Sequence, residues 1–111
     1  MNVYSLIKDH RSDFIALCKR HHVSKLFAFG SAITDRFDPL KSDIDLLVEL
    51  NIENPLEYGE TLLALWDALE QFFNRKVDLV TEDSVQNPFL KKSIDSSKQL
   101  IYDRQGEKVF V

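Results

Sequence analysis

Two aspartates in one apolar run constrain this chain more than any other feature. The run is Ser42-Asp43-Ile44-Asp45-Leu46-Leu47-Val48. Read as a strand with period 2, it puts Ile44, Leu46, Val48 and Leu50 on one face and Asp43 and Asp45 on the other. Aspartate is depleted in strands, so two on one strand face require a reason. They lie roughly 7 Å apart at about 3.3 Å per residue. At that spacing the carboxylates can converge on one divalent cation, or on a pair about 4 Å apart. An all-oxygen donor set suits Mg²⁺, or Mn²⁺, better than zinc.

The rest of the chain reads as alternating helix and strand. Val3, Leu6 and Ile7, then Phe14, Ile15 and Cys18, give a helical stripe over residues 3–22. It breaks near His10-Arg11-Ser12, with Ser12 as a new N-cap. Lys25–Phe29 is a first strand closed by Gly30. Ser31–Thr34 opens a short helix, and Asp35–Lys41 is a polar loop. The second strand is Asp43–Leu50. Leu62, Leu65, Trp66, Leu69, Phe72 and Phe73 mark a helix from about Leu56 to Phe73. Arg75–Thr81 is a third strand. Pro88 suits the first turn of a helix over Asn87–Ser96, and Gln99–Tyr102 is a fourth strand. Arg104–Val111 reads as either a last strand or a tail.

This order predicts an α+β (α/β) fold, a sheet with helices packed mainly on one face. The length of 111 residues predicts one domain over 1–111. A hydrophobic content of 44% supplies its core. If the second and third strands are neighbours, Asp78 joins Asp43 and Asp45 in one cluster. Their repulsion would then call for a cation. Gly30-Ser31, at a strand end before a helical stretch, suits a phosphate: glycine admits close approach and free N–H groups face the anion.

A net charge of −4 argues against a broad nucleic-acid surface. No apolar run approaches membrane-span length, and the N-terminus lacks a signal-peptide layout. The lone Cys18 reads as core packing. His10, His21 and His22 read as surface or helix-end residues. A cytoplasmic location is expected.

Phe29-Gly30-Ser31, the Ser42-Asp43-Ile44-Asp45 strand and Val77-Asp78-Leu79-Val80 together resemble the minimal nucleotidyltransferase family of the DNA polymerase β-like superfamily. The resemblance covers about residues 13 to 103. It implies the nucleotidyltransferase fold with a mixed sheet, and transfer of a nucleoside monophosphate, with ATP the favoured donor, to a hydroxyl. It assigns nucleotide binding to Gly30, Ser31 and Ser42, and metal-bound catalysis with Mg²⁺ to Asp43, Asp45 and Asp78. Asp78 would hold only the metal beside the acceptor hydroxyl. The segment Ala32–Phe37 departs from the pattern: it lacks a second glycine, and Arg36 is displaced.

A chain this short has little material for an acceptor pocket, so a second chain would complete the site as a hetero-oligomer. Family members of this size resemble the antitoxin halves of pairs with HEPN proteins, which are helical ribonucleases. The resemblance implies adenylylation of a tyrosine on that partner. A catalytically degenerate antitoxin that acts by binding alone is the alternative. A small-molecule or RNA nucleotidyltransferase is the weaker third reading.

Overall fold

The computed structural model describes residues 3–30, 43–105 and 108–109. The elements run α1 (Val3–Asp9), α2 (Arg11–Arg20), β1 (Val23–Phe29), β2 (Ile44–Leu50), α3 (Pro55–Phe73) and β3 (Val77–Val80). A single 3-10 turn at Glu82–Ser84 leads to α4 (Pro88–Ser97), β4 (Gln99–Asp103) and β5 (Lys108–Val109). The sheet has five strands in the order β3-β2-β1-β4-β5. Strand β2 pairs parallel with β3; the β1–β2, β1–β4 and β4–β5 pairs are antiparallel. The sheet is therefore mixed, as the family resemblance implies.

A parallel pair needs a crossover, and α3 supplies it. Asn54 caps this helix by accepting the Glu57 N–H at 3.0 Å, and Pro55 occupies its first turn. Asn74 ends it in the left-handed conformation, at φ 51°. Leu65, Leu69 and Phe73 come off one side and are buried. They join Ile7, Phe14 and Cys18 from α1 and α2 against Leu26, Ala28, Ile44, Leu46, Val48, Val77 and Leu79 of the sheet. Burying each such side chain stabilises by about 1.5–3 kcal/mol. A smaller cluster of Leu47, Val85 and Ile94 fills the opposite sheet face, with Phe27, Phe29 and Val80 beside it. Helices thus pack mainly, but not only, on one face.

Local boundaries differ from the sequence reading in ways the hydrogen bonds explain. The break after α1 is real, but His10 precedes α2, and Ser12 lies inside its first turn. The His10 carbonyl already accepts the Phe14 N–H at 3.0 Å, so the helix begins at Arg11. Strand β1 starts two residues early because buried Val23 pairs with Leu50. Strand β3 starts late because the Arg75 N–H is used by the Glu70 carbonyl at the end of α3. The ambiguous C-terminal stretch contributes β5. The short helix expected at Ser31–Thr34 and the Asp35–Lys41 loop lie outside the described residues.

Cys18 is fully buried, as expected, and burial pushes its thiol up. His21 lies at the end of α2, with its Nδ1 2.8 Å from the Leu17 carbonyl. No helix among the described residues is long and apolar enough to cross a membrane.

Strand β3 is tied to α3 at Val77. The Trp66 indole Nε1 donates to the Val77 carbonyl at 2.7 Å, and the Val77 N–H donates to the Glu70 carboxylate at 2.9 Å. Trp66→Phe keeps the ring packing but orphans that carbonyl. It should lower unfolding free energy by about 1–3 kcal/mol, read from urea denaturation at an unchanged m-value.

Candidate active site

The parallel register pairs Ile44 with Val77, Asp45 with Asp78, and Leu46 with Leu79. The four apolar members are buried in the main core. Strand alternation then turns Asp45 and Asp78 together onto the other face. The neighbour relation between these strands, an assumption at the level of sequence, holds. Asp43 stands immediately before β2 and is half-buried.

The carboxylates differ in setting because their strands differ in position. Strand β2 lies between β1 and β3, so Asp45 has Phe29 on one side and Asp78 on the other. Asp45 is half-buried; Asp78, on the outermost strand, is exposed. Burial, then the charges of Asp78 and Asp43, pushes the Asp45 carboxyl up to about 6.

Gly30 completes this corner. It follows β1 with φ +64°, a left-handed value that glycine adopts without penalty. A Cβ built on it would lie 2.7 Å from Asp45 Oδ2. The backbone at the end of β1 therefore presses directly against the Asp45 carboxylate. Ser31 and Ser42 lie outside the described residues.

The donor set is oxygen-only and mutually repulsive, which fits a hard divalent cation. Among the described residues, no three His, Cys, Asp or Glu side chains are already drawn together as a cage for one. A cation would have to draw the carboxylates together, offsetting the burial and then the mutual repulsion that raise Asp45.

The sequence reading passed over the aromatic floor. Phe27 and Phe29 lie on the carboxylate side of β1, opposite Leu47 and Asp45 respectively. The aromatic content of β1 was the available signal. Lys98 lies over Phe27, 4.6 Å from the ring centroid, and is 3.4 Å from Asp95. It brings a positive charge to this face.

With this geometry in place, comparison with known proteins is informative. The family model for the nucleotidyltransferase domain matches residues 13–101. The Methanocaldococcus jannaschii protein "Putative protein adenylyltransferase MJ1379" is 33% identical over 100 residues, spanning 90% of this chain and 93% of its own. A second protein of that organism, "Putative protein adenylyltransferase MJ0128", is 38% identical over 105 residues, spanning 92% and 99%. Among solved structures, a "putative minimal nucleotidyltransferase" superposes with a TM-score of 0.59 at 26% identity, over 89% of this chain and 95% of that one. A toxin–antitoxin crystal structure with AMP-PNP reaches the same TM-score at 19% identity, over 86% and 76%; it bears on the fold alone.

Two outcomes follow from the corner at Asp45. Gly30→Ala should lower stability by about 1–2 kcal/mol through its left-handed backbone, and further through the clash. In a double-mutant cycle by chemical denaturation, adding Asp45→Ala should recover the clash part, giving clear non-additivity. The second outcome concerns pH in chelator-treated protein. A carboxyl whose folded pKa is raised stabilises the fold fully below its unfolded value, near 3.8, and loses that contribution as pH climbs through about 6. Asp45→Asn should therefore gain stability relative to wild type as pH rises from 4 to above 6, read as the difference between melting curves.

Proposed function

The chain belongs to the nucleotidyltransferase domain family, and from that membership we propose that it transfers AMP from ATP to a hydroxyl of a protein partner. The observation that carries this reading is the in-register Asp45–Asp78 pair, with Gly30 packed against Asp45. The proposed acceptor is a tyrosine of a HEPN-type toxin, so the chain acts as a cytoplasmic antitoxin within a hetero-oligomer. Relatives that span nearly the whole chain and are named as putative protein adenylyltransferases support a protein acceptor; its HEPN-type identity follows from the family resemblance.

In the reaction, the acceptor hydroxyl gives its proton to a neighbouring carboxylate or to water, its oxygen bonds to the α-phosphorus, and the bond from that phosphorus to the bridging oxygen breaks, releasing pyrophosphate. Asp43, Asp45 and Asp78 would hold Mg²⁺, with Mn²⁺ as a substitute; when bound, it neutralises charge on the triphosphate and on these carboxylates. Gly30 gives the triphosphate a close approach to the backbone beside Asp45. Ser31 and Ser42 are proposed to add hydroxyl donors to the phosphates. Asp78, exposed at the sheet edge, is the carboxylate an incoming acceptor meets first.

The departure in Ala32–Phe37 favours one second reading: an antitoxin that neutralises its partner by contact alone. The Asp43→Asn/Asp45→Asn double variant separates the two. Full protection of cells by that variant would mean contact suffices.

The direct experiment supplies labelled ATP, Mg²⁺ and the product of the gene adjacent to its own. Wild type should label the partner. Asp78→Ala should abolish labelling yet keep most nucleotide affinity by calorimetry, whereas Asp43→Ala should lose both. Absence of label with every nucleoside triphosphate would overturn the proposal. Near-normal transfer by Asp78→Ala would reduce Asp78 to an ordinary exposed strand residue.

A further inference from the structure

The acidity of this chain is concentrated. Residues 49–74 contain Glu49, Glu53, Glu57, Glu60, Asp67 and Glu70 but no lysine or arginine, and the remainder of the chain is net positive. Helix α3 runs through this stretch. On it, Leu56 is 74% exposed and Leu63 68% exposed. Spaced i and i+7, they share one stripe, with Glu60 between them and Gly59 alongside.

Gly59 is the unexpected member. It sits inside a regular helix, where glycine is a poor choice beside alanine. A Cβ built on it meets nothing within 4 Å, so packing within the fold gives no reason for a glycine. What the missing side chain provides is a notch flanked by two exposed leucines, with Glu60 and Asp67 along the same stripe as the leucines.

We propose that this outer face of α3 is a docking surface for a basic amphipathic helix of a protein partner. A large apolar side chain of that helix enters the notch at Gly59, and its lysines or arginines meet Glu60 and Asp67, which are exposed along the same side as Leu56 and Leu63. Charge decides the occupant. A second copy docking through this same face would bring carboxylates against carboxylates, and a nucleic acid would carry the same sign. The surface is joined to the catalytic strand: Trp66 and Glu70 of α3 hold Val77, next to Asp78. The inference rests on reading the chain as a transferase acting on a protein partner, and it adds where and by what chemistry that partner is held.

The test uses the full chain, the product of the adjacent gene, and a synthetic helix with a leucine stripe flanked by lysines, beside its glutamate-flanked counterpart. Wild type should bind the adjacent gene product and the lysine-flanked helix, more weakly as salt rises, and ignore the glutamate-flanked one. Gly59→Leu and Leu63→Ser should each weaken both complexes about tenfold or more. Affinity for ATP with Mg²⁺, read by calorimetry without the partner, should not change. Gly59→Ala should melt higher than wild type yet bind less well, an outcome that misfolding cannot produce. If these variants bind and label the partner as wild type does, the surface is wrong while the transferase reading stands. If wild type labels nothing but still binds the lysine-flanked helix in a Gly59-dependent way, the surface stands and the transferase reading falls. Dimers of wild type that Gly59→Leu disperses would assign the face to a second copy and overturn the proposal.

Discussion

The parallel pairing of β2 with β3 decides where every functional group in this molecule can stand. Because the pairing is in register, Ile44 and Val77, then Leu46 and Leu79, enter the core side by side. A one-residue slip would bury aspartates in place of these residues. The apolar face is what holds the charged face in place. Two carboxylates that repel each other are kept adjacent by the packing of α3 and its neighbours behind them. The pair is thus stabilised through the sheet while being unfavourable in itself, the usual condition of a site built to receive a cation or a charged substrate.

The contact between Gly30 and Asp45 is a second consequence of the sheet order. With β1 beside β2, the end of one strand abuts the second residue of the other. A left-handed residue without a side chain lets the chain leave β1 without displacing the carboxylate. One glycine therefore meets two demands, the backbone turn and the space for an oxygen. A phosphate approaching there would share that space.

Much of this was legible in the sequence, for identifiable reasons. The alternation in Ile44–Val48 and Val77–Val80 fixes faces without any knowledge of neighbours, so the facing of Asp45 and Asp78 could be read directly. Their adjacency could not, because strand pairing depends on where α3 delivers the chain. The boundary at His10 was missed because Ser12 offers a capping hydroxyl, while the backbone found its first helical bond two residues earlier. The floor of Phe27 and Phe29 was obscured because every residue from Leu26 to Phe29 is apolar, and such a run reads as burial on both faces. The difference between half-buried Asp45 and exposed Asp78 arises only from strand order.

Val77 shows how the outer edge of the sheet is finished. An outermost strand ordinarily offers its free N–H and C=O groups as a template on which another chain can add a strand. At Val77 both groups are already engaged, by the carboxylate of Glu70 and the indole of Trp66. The rung nearest the paired aspartates is therefore closed to strand addition. Copies of this domain crowded together at high concentration lack a foothold there for edge-to-edge stacking. The edge beside Asp78 can stay open to a side chain arriving from solvent while refusing a backbone.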